Sequence, residues 1–347
     1  MHMADALLSP AVGGTMWIAA ATTMGYCCKK ISENKNEYNL RDDSKIDLQK
    51  KVPLMGVLGA FIFASQMINF TIPGTGSSGH IGGGILAASL LGPQAGFLTI
   101  ASVLVIQCLF FADGGLLALG CNMINMGFFA CFIGFPLIYS KILKKGFSPT
   151  KIFIASILSV VISLQLGAFA VVIQTSISGV SELPFSTFVM LMQPIHLAIG
   201  LMEGILTGLV LVFIYNAKPE LLVGYDTDGE HIKGKASIKV VVATLAIVTL
   251  LIGGGLSLYA SSNPDGLEWS IQNITGSTEL ERSNSVNESL GNVQEKLSFL
   301  PDYSFKSDTD NAVGTTVAGV VGSLITLGLT GVIAFCLSKL KKKQTNQ

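Results

Sequence analysis

The stretch QAGFLTIASVLVIQCLFFA, residues 94–112, contains nineteen residues and no charged side chain. A helix needs about 20 predominantly apolar residues to cross the hydrocarbon core of a bilayer. The run therefore predicts a transmembrane helix, which Gly92-Pro93 precedes and Asp113-Gly114-Gly115 follows. The number of such runs along the chain indicates how many transmembrane helices to expect.

Apolar runs recur along most of the chain. Half of the 347 residues are hydrophobic and 13% are charged, whereas soluble proteins carry about 25% charged residues. The pattern predicts an all-α, multi-pass membrane protein surrounded by lipid. The zero net charge excludes nucleic acid as a partner. Nine candidate spans are found, at 7–28, 52–70, 80–92, 94–112, 120–140, 150–177, 194–215, 238–260 and 313–338.

The lysines orient these spans. The 80–92 run is short, and runs of that size are often re-entrant. If it crosses the membrane, however, all basic segments fall on one side: Lys29–Lys51, Lys141–Lys145, Lys218–Lys239 and Lys339–Lys343. The positive-inside rule then predicts an N-terminus outside and a C-terminus inside. The acidic loop 261–312 falls outside, and Met1, His2, His80 and His196 all lie near the outer face.

A polar, turn-rich segment divides the chain. The sequence NAKPELLVGYDTDGEHIKGKAS, residues 216–237, is a predicted cytoplasmic linker that contains His231. Seven spans precede it, and two spans that bracket the outer loop follow it. We therefore expect two domains, 1–225 and 226–347. Within the outer loop, residues 275–298 are rich in Ser, Asn and Glu, which predicts either a mobile segment or a short exposed helix.

The dipeptide Met1-His2 offers three nitrogens for one divalent metal ion. The terminal amine, the His2 amide and the His2 imidazole can close fused five- and six-membered chelate rings, which suit Ni²⁺ and Cu²⁺. The alternative is that His2 is accidental or the remnant of a tag. His80 follows a Gly-rich loop at a predicted helix start and is either a fourth nitrogen ligand or a loop histidine with ordinary partners.

Other polar residues near the membrane spans could support such a site. Asp113 and Asn122 could orient ligating histidines, or they could serve as a helix cap and an interhelical hydrogen bond. His196 and Glu203, seven residues apart on one helix face, read as residues behind the ligands rather than ligands. Asp5 could fix the chelating end of the chain.

Enzyme motifs are missing from the sequence. Residues 74–79, GTGSSG, match G-x-G-x-x-G, but they follow an apolar run and Pro73 rather than a strand of a βαβ unit. No Walker lysine pattern is present, so we do not expect the chain to hydrolyse ATP. No His-Glu-x-x-His, nucleophile elbow or paired-carboxylate pattern is found, and an enzyme is not expected.

Several motifs together resemble the CbiM/NikM family, the metal-binding S components of energy-coupling-factor transporters for cobalt and nickel. A second resemblance, to the PDGLE domain of the family's small N component, covers about residues 235–340. The motifs are MHMADALLSP (1–10), GHIGG (79–83), LGP (91–93), FADGGL (111–116), ALGCNMINMG (118–127), PIHLAIG (194–200), PDGLEW (264–269) and PDY (301–303).

The resemblance implies a bundle of seven helices that binds transported Ni²⁺ or Co²⁺ through the Met1 amine, the amide and imidazole of His2, and His80. It also implies a transmembrane T subunit and separate ATPase subunits as partners, and no catalytic cofactor. Many members have Ile-Pro-Asp-Gly where this chain has Met3-Ala4-Asp5-Ala6. A planar array with an amide nitrogen favours Ni²⁺ over Co²⁺.

Two other functions remain open at this point. A stand-alone secondary metal transporter or channel would need a chain of carboxylates inside the membrane. The spans contain few ionisable groups besides Asp113 and Glu203, which argues against it. A membrane metallo-enzyme would need an open metal position and a general base.

Overall fold

A computed structural model describes residues 1–33, 48–225, 236–280, 285–306 and 312–345. These residues are mainly helical, which confirms the all-α class, and they include one antiparallel hairpin of strands β1 (Phe70–Ile72) and β2 (Ser77–Gly79). The helices are α1 (Pro10–Ser32), α2 (Leu48–Gln66), α3 (Gly84–Leu91), α4 (Pro93–Phe111), α5 (Leu119–Leu143), α6 (Pro149–Ser178), α7 (Phe185–Ala217), α8 (Ile238–Gly254), α9 (Gly266–Thr275), α10 (Ser285–Leu297) and α11 (Ala312–Thr345).

Helix starts follow local sequence rules. Ser9 and Ser148 adopt extended backbone conformations, and their hydroxyls accept hydrogen bonds from Val12 N and Lys151 N. Proline occupies the next position in both cases, where its missing N–H costs nothing because the first helical N–H groups have no partner within the helix. These caps fix where α1 and α6 begin.

Five helices in the described part of the chain are long and apolar enough to cross a membrane: Pro93–Phe111, Leu119–Leu143, Pro149–Ser178, Phe185–Ala217 and Val313–Lys339. The chain is a multi-pass membrane protein. Two shorter apolar helices, Val52–Gln66 and Ile238–Gly254, coincide with two further predicted runs. The count of nine spans stays a prediction.

The short run at 80–92 differs from the expected span because only Gly84–Leu91 is helical. Eight residues extend about 12 Å, less than half of the hydrocarbon thickness. The loop before it reaches Glu203 in the middle of α7, since Gly83 N donates to Glu203 Oε1 at 3.0 Å. At the other end, Ser89 O accepts from Val223 N, beyond the end of α7. Loop and short helix together thus connect the middle of the bundle with one of its ends.

The two C-terminal long helices pack on the N-terminal part. α11 lies along α2, and α8 contacts both of them. The backbones of α8 and α11 approach closely at Gly253 and Gly319, where a Cβ on Gly319 would lie 2.0 Å from Gly253 O. Such contacts between small residues are typical of membrane helices. Between α8 and α11, helices α9 and α10 cover the end of the bundle that holds the N-terminus. His231 and the other residues of 226–235, within the predicted linker, lie outside the described residues.

Candidate metal centre

The first residues of the chain are buried at one end of the bundle. Met1 is 5% exposed and Met3 is fully buried. Met3 N donates to Asn122 Oδ1 at 2.8 Å, and Gly115 N donates to Met3 O at 2.9 Å. Asn122 therefore holds the backbone directly after His2; the sequence left open whether it orients an imidazole or forms an interhelical hydrogen bond.

Asp5 anchors the same segment. Its Oδ1 accepts from Ala118 N at 3.0 Å. A Cβ on Gly115 would lie 1.8 Å from that oxygen, so the close approach of the two loops requires glycine. The Asp5 side chain thus ties the turn behind Met1 and His2 to the loop at 115–118; a role of Asp5 in metal binding stays a prediction.

His2 and His80 lie side by side although 78 positions separate them. Their rings stack with centroids 5.2 Å apart and planes 12° apart. His80 Nδ1 is 3.3 Å from Ile81 O. A carbonyl oxygen can only accept, so this contact assigns the proton to Nδ1 and leaves a lone pair on His80 Nε2. A nitrogen ligand for a metal ion needs such a lone pair.

The edge of the His2 ring, whose face stacks on His80, contacts a carboxylate. Its Nδ1 is 3.0 Å from Asp113 Oδ1, and its buried Nε2 has no hydrogen-bond partner among the described residues. Asp113 Oδ2 accepts from the Tyr303 hydroxyl. Burial alone would raise the pKa of Asp113, but the His2 imidazole and the hydrogen bonds from His2 and Tyr303 outweigh it and lower the pKa to about 2.

The terminal amine forms an ion pair with Asp265, a residue of the C-terminal part. Asp265 Oδ2 contacts the amine, while Oδ1 caps α9 by accepting from Leu267 N at 2.8 Å and Glu268 N at 2.9 Å. Burial opposes ionisation, but the amine and these bonds hold the pKa of Asp265 well below its usual range. The spacing Asp265-x-x-Glu268 signals a capping box, but nothing in the sequence indicates contact with Met1.

Further residues of the outer segment hold the same loops. Asn287 Nδ2 donates to Asp5 O at 2.8 Å, and Gln294 Nε2 donates to Gly114 O at 2.6 Å. Trp269 Nε1 donates to Thr75 O at 2.9 Å, before the His80 loop. Asn287 and Gln294 belong to α10, so the described part of 275–298 includes the short helix that was one of the two expectations.

His196 and Glu203 lie behind the two histidines on α7, and both are buried. His196 Nδ1 is 2.8 Å from Met192 O, which leaves Nε2 as the nitrogen with a lone pair, and no described residue bonds it. Glu203 braces the loop of His80 through Gly83 N. Both side chains line a cavity of about 40 Å³ that Met1, His80 and Asp265 also line.

Side chains alone do not make a metal site here: within the described ranges, no group of three or more His, Cys, Asp or Glu side chains is arranged to hold a metal ion. Backbone nitrogens would have to complete the set. A six-membered chelate ring from the His2 amide closes only through Nδ1, the atom that faces Asp113. Binding in the chelate mode therefore requires the His2 ring to leave Asp113 and the amine to leave Asp265.

Comparison with known proteins matches both parts of the chain. Residues 2–221 match the family model CbiM, described as the cobalt uptake substrate-specific transmembrane region, and residues 239–339 match the PDGLE domain. A protein of Archaeoglobus fulgidus named as a fused nickel transport protein, NikMN, is 33% identical over 95% of this chain and 96% of its own length. A cobalt transport protein, CbiM, of Sorangium cellulosum is 29% identical over 49% of this chain and 76% of its own.

Solved structures agree with these matches. The crystal structure of a truncated transition metal transporter superposes with a TM-score of 0.51 and 30% identity, covering 62% of this chain and 98% of that one. The relatives are named as metal transport proteins rather than enzymes, which confirms that expectation. The chain therefore belongs to the CbiM family of cobalt and nickel transport proteins and carries a PDGLE domain in the same polypeptide.

Proposed function

We propose that this chain is the metal-capture subunit, the S component, of an ATP-driven energy-coupling-factor importer for Ni²⁺ or Co²⁺. Its N-terminus would lie outside the cell and its C-terminus inside. The observation that carries the proposal is the meeting of Met1, His2 and His80 in one buried site at the end of the bundle. A transmembrane T subunit and ATPase subunits would supply the energy.

In the loaded state the ion is bound by four nitrogens: the Met1 amine, the His2 amide, His2 Nδ1 and His80 Nε2. Asp265 contacts the amine and Asp113 contacts the imidazole, and both contacts would have to open for this chelate to form. Asp5 and Asn122 position the backbone around His2, while Glu203 braces the His80 loop. His196 stands behind the ligands with a free nitrogen toward the same cavity.

The division of the chain into domains 1–225 and 226–347 is part of the proposal. Residues before this boundary provide all four nitrogens. Residues after it provide Asp265 and Tyr303, which hold the site from the other side. The fused PDGLE domain therefore contacts the site without supplying ligands, and it assists loading.

The test combines binding with uptake. Purified chain with its native N-terminus should bind Ni²⁺ or Co²⁺ without partner subunits, and competition between the two ions gives the preference. Cells that express the chain together with the T and ATPase subunits should take up the preferred ion. Cells that express the chain alone should not, since it has no ATPase motif. Equal uptake by both strains would instead support a stand-alone transporter.

A further inference from the structure

A second, larger cavity opens between the two parts of the chain. Its volume is about 350 Å³, and it extends outward from His2. We name it the acidic vestibule, because seven carboxylate side chains line it and no Lys or Arg is found among the described residues of its wall. The carboxylates are those of Asp5, Asp113, Asp265, Glu268, Glu279, Glu295 and Asp302.

The inner end of the vestibule is a group that binds cations. The side chain of His2 is 7% exposed and lines the vestibule. Its Nε2 is buried and has no hydrogen-bond partner in the described part of the chain. An imidazole that lines an acidic cavity and keeps one nitrogen unpartnered by the described residues indicates a ligand that is positively charged and accepts nitrogen donors. In the proposed chelate the ring binds this ligand through Nδ1, after it has left Asp113.

Among the described residues, the outer carboxylates of the vestibule have no neutralising partner of the kind found deeper inside. Asp113 contacts His2 and Asp265 contacts the amine. In contrast, partial burial together with the charges of Asp113 and Glu279 raises the pKa of Asp302. Lys306 donates to the main-chain oxygen of Glu295 at 2.9 Å rather than to its carboxylate. The rim thus keeps a negative potential that a divalent cation would relieve.

We propose that the acidic vestibule is the path by which a hydrated divalent cation reaches His2, and that its rim, Glu279, Glu295 and Asp302, is the first station on that path. This inference rests on the proposed function. The size of the vestibule is sufficient, because a water needs about 10–15 Å³ of such space and an ion carries about six waters. The rim carboxylates would bind the ion through these waters and raise its local concentration.

The test measures how fast metal binds. The double variant Glu295→Gln/Asp302→Asn removes two rim charges, and asparagine tolerates the left-handed backbone at residue 302, where φ is 49°. The matched control, Glu182→Gln/Glu288→Gln, removes two exposed carboxylates at the same end of the molecule, neither of which lines the vestibule. Purified full chain is mixed with NiCl₂ or CoCl₂ in a stopped-flow instrument that follows tryptophan fluorescence.

At low salt we expect the rim variant to bind metal about tenfold more slowly, within the range that electrostatic focusing produces in charged clefts. Its dissociation rate should equal that of the wild type, and the control should bind at the wild-type rate. In about 0.5 M salt the difference should disappear, because screening shortens the reach of these charges to a few ångströms.

Two outcomes would overturn the inference. Equal association rates in the rim variant and the wild type would mean that the ion takes another path. A change in the dissociation rate alone would mean that the rim acts on the bound ion. If wild-type protein bound neither ion, the proposed function itself would fail, which is a different result from either of these.

Discussion

The N-terminal part of the chain, residues 1–225, and the C-terminal part, residues 226–347, contribute different chemical groups to the same end of the molecule. The N-terminal part supplies nitrogen: the Met1 amine and the rings of His2 and His80. The C-terminal part supplies oxygen: the Asp265 carboxylate holds the amine, and the Tyr303 hydroxyl holds Asp113. Nitrogen groups that can ligate a transition metal thus come from one part, and the other part adds restraints on the amine and on Asp113 to those that Asp5, Asn122 and Glu203 supply within the first.

The two parts also pack by different physics. Helices α8 and α11 contact α2 through apolar and small residues along their lengths. The outer segment with α9 and α10 contacts the N-terminal part through hydrogen bonds, such as those of Asn287 and Gln294, and through aromatic contacts such as that of Phe299 with Phe110. A typical hydrogen bond contributes only about 0.5–1.5 kcal/mol net, since water replaces it on opening. We therefore expect the outer segment to open while the helix pairs stay closed.

The largest loss of metal affinity should follow from changing the Met1 amine, one of the nitrogen groups of the N-terminal part. Adding a Gly/Ser segment before Met1, long enough to keep the new terminal amine away from His2, should abolish high-affinity metal binding, because it converts the Met1 amine into an amide. Isothermal titration of the extended protein with Ni²⁺ measures this, and the same segment added after Gln347 is the control. Wild-type affinity in the N-terminally extended protein would contradict the chelate.

The two inner histidines should differ in their importance. His80→Ala should weaken metal binding by more than His196→Ala, for which we expect a loss of about 10–100-fold as for residues that support ligands. His196 shares the cavity with Met1 and His80, which makes the comparison informative. Titrations of both variants, with thermal unfolding to confirm that each is folded, decide the ranking. A larger loss in His196→Ala would make it a ligand and His80 a supporting residue.

Asp265, from the C-terminal part, should control how readily reagents reach the Met1 amine. Asp265→Asn removes the charge that pairs with Met1 N. Labelling of the terminal amine by an amine-reactive ester should accelerate about tenfold or more, since a hydrogen bond to a charged group contributes about 1.5–3 kcal/mol. Mass spectrometry of the N-terminal peptide gives the rate. Glu268→Gln, the neighbouring carboxylate in the same capping box, should label as slowly as the wild type; equal rates in all three proteins would remove the role of Asp265.

The smallest effect concerns pH. Partial burial and the neighbouring Asp265 carboxylate raise the pKa of Glu268 from 4.5 to about 7. A raised acid pKa means that the folded protein binds this proton more tightly, so the group favours the folded state at low pH and the advantage is lost as pH rises from 4.5 through 7.

Glu268→Gln keeps a side-chain oxygen for Asp265 N and should reduce the difference in Tm between pH 5.5 and pH 8. The change should be below about 2 °C, because an exposed charge contributes little. Asp265 should not contribute to the Tm difference between pH 5.5 and pH 8, since its lowered pKa lies far below pH 5.5. A Tm difference between the two pH values that is the same in variant and wild type would assign it to other groups.

The sequence predicts much of the fold because apolar length and helix caps are local properties. It also predicts some contacts between helices: an amide side chain such as Gln165, in the middle of an apolar run, indicates an interhelical hydrogen bond, and its Nε2 donates to Gln193 O on α7 at 2.9 Å. The extent of helix in the 80–92 run was harder to predict. Gly82-Gly83 and the brace from Glu203 hold residues 80–83 as a loop, and that brace comes from 120 residues away.

The candidate site likewise combines features that the sequence predicts with contacts that it does not. Met1 and His2 are adjacent, so their chelating geometry follows from covalent structure alone. That His80 would join them depended on the predicted topology of the spans. The contacts of Asp265 and Tyr303 lie 190 residues or more from their partners, and no periodicity or spacing in the chain encodes them. A capping motif such as Asp265-x-x-Glu268 predicts a helix start and the role of one Asp265 oxygen as the cap. It does not predict which group the other oxygen contacts.

The burial of the Met1 amine has a genetic consequence. If this amine binds the ion, the start codon encodes part of the metal site. An upstream in-frame start would then inactivate transport without altering any existing codon, and so would an acyl group left on the first residue. Mutations that only move the start of translation would therefore have the same phenotype as the loss of a ligand.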